Sequence, residues 1–93
     1  MNHKLKTWPN AWRAVREQTK RFEWRKDDRG FEVGDVLELY LYDPQDPDRF
    51  MWEDRVERGT VPVCRVEVTY ILRGAFDMPP GYCVMSIKPI GQP

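Results

Sequence analysis

The sequence has few of the residues that build metal centres or disulfide frameworks. It contains one histidine, His3, and two cysteines, Cys64 and Cys83. A structural zinc site needs four such ligands at characteristic spacings, and a disulfide scaffold needs several cysteine pairs. Both cysteines lie among apolar residues, which is typical of buried free thiols. We therefore expect no metal site, no cofactor and no catalytic cysteine.

Long hydrophobic runs are also absent. No apolar stretch approaches the roughly 18 to 20 residues that a membrane helix needs. Residues 1–6 are mostly polar, unlike the apolar core of a signal peptide. These absences predict no membrane partner and a cytoplasmic location.

Net charge is absent too, although the charges are unevenly distributed. The chain has 15 basic and 15 acidic residues. Residues 1–30 carry nine Lys or Arg against four Asp or Glu, whereas residues 31–58 carry three against nine. A neutral total argues against a strongly basic nucleic-acid protein, but this distribution is compatible with a local basic face.

What the sequence does contain is enough apolar material for one core. Hydrophobic residues make up 41% of the 93 residues, and there are four each of Trp, Tyr and Phe. A chain of this length accommodates a single hydrophobic core. We therefore expect residues 1–93 to form one domain.

Hydrophobic periodicity predicts one helix and about five strands. The helix begins at Pro9, which suits the first helical position, and its apolar stripe includes Trp8, Trp12 and Val15. One helix is too few for repeated βαβ units, so the predicted fold class is α+β and mainly β. We expect a small mixed β-barrel with this N-terminal amphipathic helix packed across one end. The predicted strands cover 3–7, 20–26, 33–42, 60–72 and 82–88, with an irregular acidic segment at 43–59 and a turn-rich loop at 73–81.

Alternation along residues 20–26 assigns aromatic and charged side chains to opposite faces. Phe22 and Trp24 are predicted to enter the core. Glu23 and Arg25 then share the other face, as a solvated pair, a structural ion pair between strands or the wall of a cleft. Lys20 and Glu23 are three residues apart, so within one strand they would lie on opposite faces. They can lie together only if the strand begins after Lys20.

Three apolar residues, Phe50, Met51 and Trp52, interrupt the acidic segment. We expect them to cap one end of the core. The alternative is an exposed patch that binds a protein partner or a second copy of the chain.

Residues 18–25, Gln-Thr-Lys-Arg-Phe-Glu-Trp-Arg, resemble the Gly-x-Lys-x-x-Glu-x-Arg signature of ASCH domains. These domains belong to the PUA-like β-barrel superfamily. The sequence departs from the pattern at Gln18, which replaces the glycine, and in the length of segment 43–59. The resemblance implies a PUA-like barrel with a cleft between the helix and the signature strand, a fold used for RNA, nucleotides and modified bases. Segments 3–9, 26–29, 33–35, 69–72 and 80–82 are also similar to a short ASCH-like branch of bacterial and phage proteins of unknown function.

The resemblance and the chemistry of the side chains together suggest the binding residues. Lys and Arg suit phosphate, Trp and Tyr suit base stacking, and a fixed carboxylate can accept hydrogen bonds from a base edge. Trp8 is also a candidate for the core, and His3 is open between a packing role and a site role. The polar candidates are Lys6, Lys20, Glu23, Arg25 and Arg29, and the stacking candidates are Trp8 and Tyr70.

These candidates favour a binding module for RNA, a nucleotide or a modified nucleobase. The alternative is a small hydrolase of a nucleoside or RNA, with Glu23 as general base and Lys20 or Arg25 stabilising an oxyanion. Some ASCH-like proteins are amidohydrolases of acetylated cytidine that use a Lys, a Thr and a Glu. Lys20 aligns with that lysine, but Glu23 occupies the threonine position, which disfavours that reaction. A further alternative is a protein-docking factor that uses segment 43–59.

Overall fold

The described part of the chain folds into one curled five-stranded sheet with two short helices. The computed structural model describes residues 1–74 and 77–91. No helix in these two ranges is long and apolar enough to cross a membrane. The predicted fold class, α+β and mainly β with an N-terminal amphipathic helix, is confirmed, and the sheet forms a half-barrel. The strands are β1 (Asn2–Thr7), β2 (Phe22–Lys26), β3 (Val36–Leu41), β4 (Val63–Arg73) and β5 (Tyr82–Pro89), and the helices are α1 (Pro9–Arg16) and α2 (Trp52–Glu57).

The strands are ordered β1-β3-β4-β5-β2 across the sheet. β1 pairs with β3 in parallel, and every other pairing is antiparallel. The strands β1 and β2 are therefore the two edges, although both come from the first third of the chain. Of the predicted turn-rich loop between β4 and β5, residues 75 and 76 lie outside the described residues.

The core lies between the sheet and α1, which packs on β3 and β4. Trp12 and Val15 are the buried residues of the helix, and the Trp12 indole Nε1 donates to the Leu39 carbonyl at 2.9 Å. Trp8 precedes the helix with extended backbone and leaves the apolar stripe, so its assignment to the core is wrong. The cluster comprises Leu5, Trp12, Val15, Phe31, Leu37, Leu39, Cys64, Val66, Val68, Cys83, Met85 and Ile87.

The predicted orientation of β2 is also wrong. Phe22 and Trp24 are exposed, whereas Glu23 is only 2% exposed. The register explains the inversion, because Glu23 lies opposite Met85, whose side chain faces the core. Alternation separates two faces of a strand but does not say which one is inward.

His3 has a packing role in the core. Its Nε2 lies 2.8 Å from the carboxylate of buried Asp35, and its ring meets Phe31 edge-on at 4.8 Å between centroids. These contacts support the packing alternative for His3.

The acidic segment contains more regular structure than predicted. A 3₁₀ turn at Arg49–Met51 leads directly into α2. Trp52 packs edge-on against Tyr40 and Tyr42 and donates its Nε1 to the Leu41 carbonyl at 2.9 Å. Phe50 and Met51 are exposed. The apolar trio therefore divides, and only Trp52 covers the sheet.

Both cysteines are buried free thiols, as predicted. Burial raises the pKa of the Cys64 thiol and the pKa of the Cys83 thiol, because desolvation disfavours the thiolate. Neither side chain is thereby suited to nucleophilic attack at neutral pH.

Candidate functional site

A cleft opens where the end of β1, the start of α1 and the edge strand β2 meet. Its volume is about 310 Å³, at the lower end of the range typical of small-molecule sites. We call it the tryptophan cleft. It is lined by Lys6, Thr7, Trp8, Ala11, Lys20, Glu23, Trp24 and Arg25.

The buried carboxylate of Glu23 is held by two cations. Its Oε2 accepts from Lys20 Nζ, and its Oε1 accepts from Arg25 Nε at 2.9 Å. Both partners keep about a fifth of their side-chain surface exposed. Charge-assisted hydrogen bonds on both oxygens fix the orientation of the carboxylate.

Lys20 reaches Glu23 because β2 begins at Phe22. Lys20 lies in the turn between α1 and β2, outside the strand, so the alternation of strand faces does not constrain its side chain. Its Nζ also donates to the Phe22 carbonyl at 2.6 Å. The ammonium group is thus held at the edge of the tryptophan cleft.

Arg25 connects the two edges of the half-barrel. Besides contacting Glu23, its guanidinium donates to the Lys6 carbonyl at 3.0 Å and to Thr7 Oγ1 at 3.1 Å. β2 is thereby tied to β1 without a backbone ladder. The planar guanidinium can make several such contacts at once. Arg25 therefore holds the walls of the cleft together and also adds a positive charge to it.

Two tryptophan side chains stand exposed at the rim. Trp8 is 63% exposed and Trp24 is 50% exposed. Trp24 also lies near Tyr82, with 6.4 Å between ring centroids. Indole rings left in water beside a cleft are available to stack on a flat ligand.

A second cleft adjoins the first and shares Lys6 and Arg25 with it. It lies between the outer edge of β1 and α2, and its volume is about 580 Å³. We call it the α2 cleft. It is lined by Lys4, Leu5, Lys6, Arg25, Arg29, Trp52, Glu53, Val56 and Glu57.

The structure brings most of the predicted site residues together. Arg29 lines the α2 cleft instead of the tryptophan cleft, and Tyr70 is exposed on β4 and lines neither of them. Thr7 and Trp24 also line the tryptophan cleft and were not predicted from the sequence. The only signal for Trp24 was its place inside the signature, which the alternation argument overrode. The predicted residues that line the tryptophan cleft are Lys6, Trp8, Lys20, Glu23 and Arg25.

The chemistry of the tryptophan cleft combines three elements. Lys6, Lys20 and Arg25 outnumber Glu23, so the cleft carries net positive charge. The exposed indoles offer flat apolar surface, and the carboxylate is a fixed acceptor. This set can hold a flat ring bearing donor groups together with an attached anion.

Comparison with known families gives a match over most of the chain. The family model described as "Domain of unknown function (DUF3850)" matches residues 2–87. These residues include the tryptophan cleft and the α2 cleft. No curated protein matches the chain. The chain belongs to the DUF3850 family.

Proposed function

We propose that this domain binds a nucleotide or a short single-stranded RNA, with one base in the tryptophan cleft. One observation carries the proposal: two exposed indoles flank a buried carboxylate that is fixed by two cations in the same cleft. Trp8 and Trp24 are too exposed to contribute much to core packing. Stacking on a base gives their exposed rings a role.

Each group has a defined part in this proposal. Trp8 and Trp24 stack on the base, and Glu23 accepts a hydrogen bond from an amino or imino group at its edge. Lys6 and Lys20 attract the phosphate, while Arg25 positions Glu23 and contributes charge. A neutral protein can bind an anion in this way because the basic residues cluster locally.

The resemblance of residues 18–25 to the ASCH signature also supports the proposal. We propose that the DUF3850 fold is related to ASCH domains, since residues 18–25 resemble their signature. A cleft lies between the start of α1 and β2, the strand that carries part of this segment, and its position supports the proposal. A nucleotide ligand and two free cysteines also suit the cytoplasm, which we propose as the location.

The test is a titration with nucleoside monophosphates and short RNA, followed by tryptophan fluorescence and calorimetry. Stacking on an indole is worth about 1–3 kcal/mol per base, so Trp8→Ala and Trp24→Ala should each weaken binding about tenfold. Lys20→Ala should also weaken it and reduce its dependence on salt. Phe50→Ala is the control, because it removes an even more exposed aromatic ring that lies outside both clefts.

Wild-type affinity in both tryptophan variants would refute the proposed site. If the wild type hydrolyses an acylated nucleoside or RNA and Glu23→Gln does not, the function is hydrolysis and not binding alone. The circular dichroism spectrum of each variant checks that the fold is retained.

A further inference from the structure

The α2 cleft continues the tryptophan cleft along the edge of β1. Lys6 and Arg25 stand at the boundary and line both clefts. The Lys6 ammonium is held there by the rings of Tyr42 and Trp52, at 4.6 and 5.2 Å from their centroids. A ligand larger than one nucleotide would therefore pass two cations on leaving the tryptophan cleft.

The β1 wall of the α2 cleft is cationic and has few free acceptors. Arg29 donates to the Lys4 carbonyl at 2.9 Å, and Arg25 donates to the Lys6 carbonyl at 3.0 Å. These are the carbonyls that point away from β3, and a peptide strand pairing with this edge would need them. With both carbonyls occupied and Lys4 beside them, the edge suits an anion better than an added strand.

The opposite wall is acidic. Glu53 and Glu57 lie four residues apart on α2, so they share one face of the helix. Within residues 1–74 and 77–91, no ion pair joins either of them to the cations of β1 or to Arg29. The cleft thus keeps carboxylate acceptors apart from its cationic wall.

A nucleotide in a strand matches this division of charge. Its phosphate carries negative charge, and the bases adenine, cytosine and guanine carry an exocyclic amino group that donates hydrogen bonds. Carboxylates accept from such groups, as Glu and Asp do from cytosine N4. Uracil has no exocyclic amino group and offers carbonyl oxygens instead.

We propose that the ligand is a single-stranded oligonucleotide of at least two residues, with its second nucleotide in the α2 cleft. This inference rests on the proposed function. The linking phosphate lies at Lys6 and Arg25, and the backbone continues toward Lys4 and Arg29. Glu53 and Glu57 select a second base that bears an amino group.

The experiment compares 3′-AMP, called AMP below, with the dinucleotides ApA, ApC and ApU, each carrying a 3′-terminal phosphate, by calorimetry at one salt concentration. ApA and ApC should bind about tenfold more tightly than AMP, since a second nucleotide adds stacking and phosphate contacts. ApU should bind about fivefold less tightly than ApC, because its second base offers Glu53 and Glu57 no amino group. The Glu53→Gln/Glu57→Gln variant should bind ApC and ApU equally, because amides can also donate to uracil.

Variants of the cationic wall separate the two clefts. Lys4→Ala and Arg29→Ala should remove the advantage of ApC over AMP and leave the affinity for AMP unchanged. Lys88→Ala is the control, because Lys88 is an exposed cation on β5 that lines neither cleft. It should bind every ligand as the wild type does.

The two proposals fail in different ways. Equal affinity for AMP and all dinucleotides overturns the role of the α2 cleft and leaves the tryptophan cleft intact. No binding of AMP or of any dinucleotide overturns the proposed function. Binding of an acidic peptide that is lost in Lys4→Ala, with no binding of AMP or of any dinucleotide, overturns both in favour of protein docking.

Discussion

Gln18 is a residue at which the backbone conformation conflicts with the side chain. Its φ is +64°, in the left-handed region that favours glycine. The Gln18 N–H donates to the Val15 carbonyl, and the Thr19 N–H donates to the Ala14 carbonyl, which is the Schellman pattern at the end of a helix. The glycine of the ASCH signature thus corresponds to a position that needs this conformation here, and the turn forms with glutamine in its place.

Gln18→Gly should stabilise the protein. Glycine relieves the left-handed strain of roughly 1–2 kcal/mol, and its greater freedom in the unfolded chain cancels part of the gain. We expect an increase of about 0.5–1 kcal/mol in the free energy of unfolding, measured by urea denaturation. Gln18→Ala keeps the strain and is the control. An equal effect of both substitutions would contradict this account.

Glu23 shows what the sequence could and could not indicate at single positions. Alternation correctly placed Glu23 and Arg25 on one face of β2, opposite Phe22 and Trp24. The inward face was assigned by hydrophobicity, and here that rule failed, because Lys20 and Arg25 compensate the buried carboxylate. Lys20 comes from a turn, so no strand pattern could show it beside Glu23. The same inversion left Trp24 exposed at the tryptophan cleft.

At the scale of elements, the five strands were predictable and α2 was not. Each strand has the β-branched or alternating pattern that its environment requires. The helix α2 has only six residues, too few to be stable by propensity alone. It follows two Asp-Pro steps that disfavour helix, and it is fixed by Trp52 on Tyr40 and Tyr42. Such tertiary contacts leave no local pattern in the sequence.

The contribution of Trp52 to this element can be separated from that of its apolar neighbour. Trp52→Ala removes the packing on both tyrosines and the hydrogen bond to Leu41, and it should lower the free energy of unfolding by about 2 kcal/mol. Phe50 is 80% exposed, so Phe50→Ala should change the free energy of unfolding by less than about 0.5 kcal/mol. Urea denaturation of the two variants measures both values.

Similar losses in the two variants would show that Phe50 also packs on the fold. The difference also bears on protein docking through segment 43–59. A docking test should replace Phe50 and Met51 and leave Trp52 in place, because loss of Trp52 would disturb α2 itself.

At the scale of the whole molecule, the half-barrel is held at its open side by side chains. Arg25 and Arg29 connect β2 and the turn after it to carbonyls of β1. The basic first third of the chain supplies both edge strands, and the acidic middle third supplies α2 beside them. The uneven charge noted in the sequence therefore becomes a cationic wall that faces an acidic one. Composition indicated the two charged blocks, whereas the fold was needed to place them across a cleft.

The opposite end of the fold depends on one buried carboxylate. Asp35 accepts from His3 at 2.8 Å, from the Glu32 N–H at 3.0 Å and from the amino group of Met1 at 3.2 Å. Desolvation by burial favours the protonated acid, but these hydrogen bonds outweigh it and hold the pKa of Asp35 below its ordinary value of 3.8. The carboxylate therefore joins β1, the turn at 31–35 and the start of β3.

This pKa predicts how the fold responds to acid. Because the folded state lowers the pKa of Asp35, its ionised form stabilises the protein above pH 3.8, and that contribution is lost as the pH falls through the folded-state value. Asp35→Asn should therefore be less stable than the wild type at pH 7, and the difference should shrink below about pH 3.8. Urea denaturation from pH 7 to pH 2.5 measures this difference, with Asp28→Asn at an exposed position as the control. A difference that stays constant over the whole range would mean that the carboxylate acts by its shape and not by its charge.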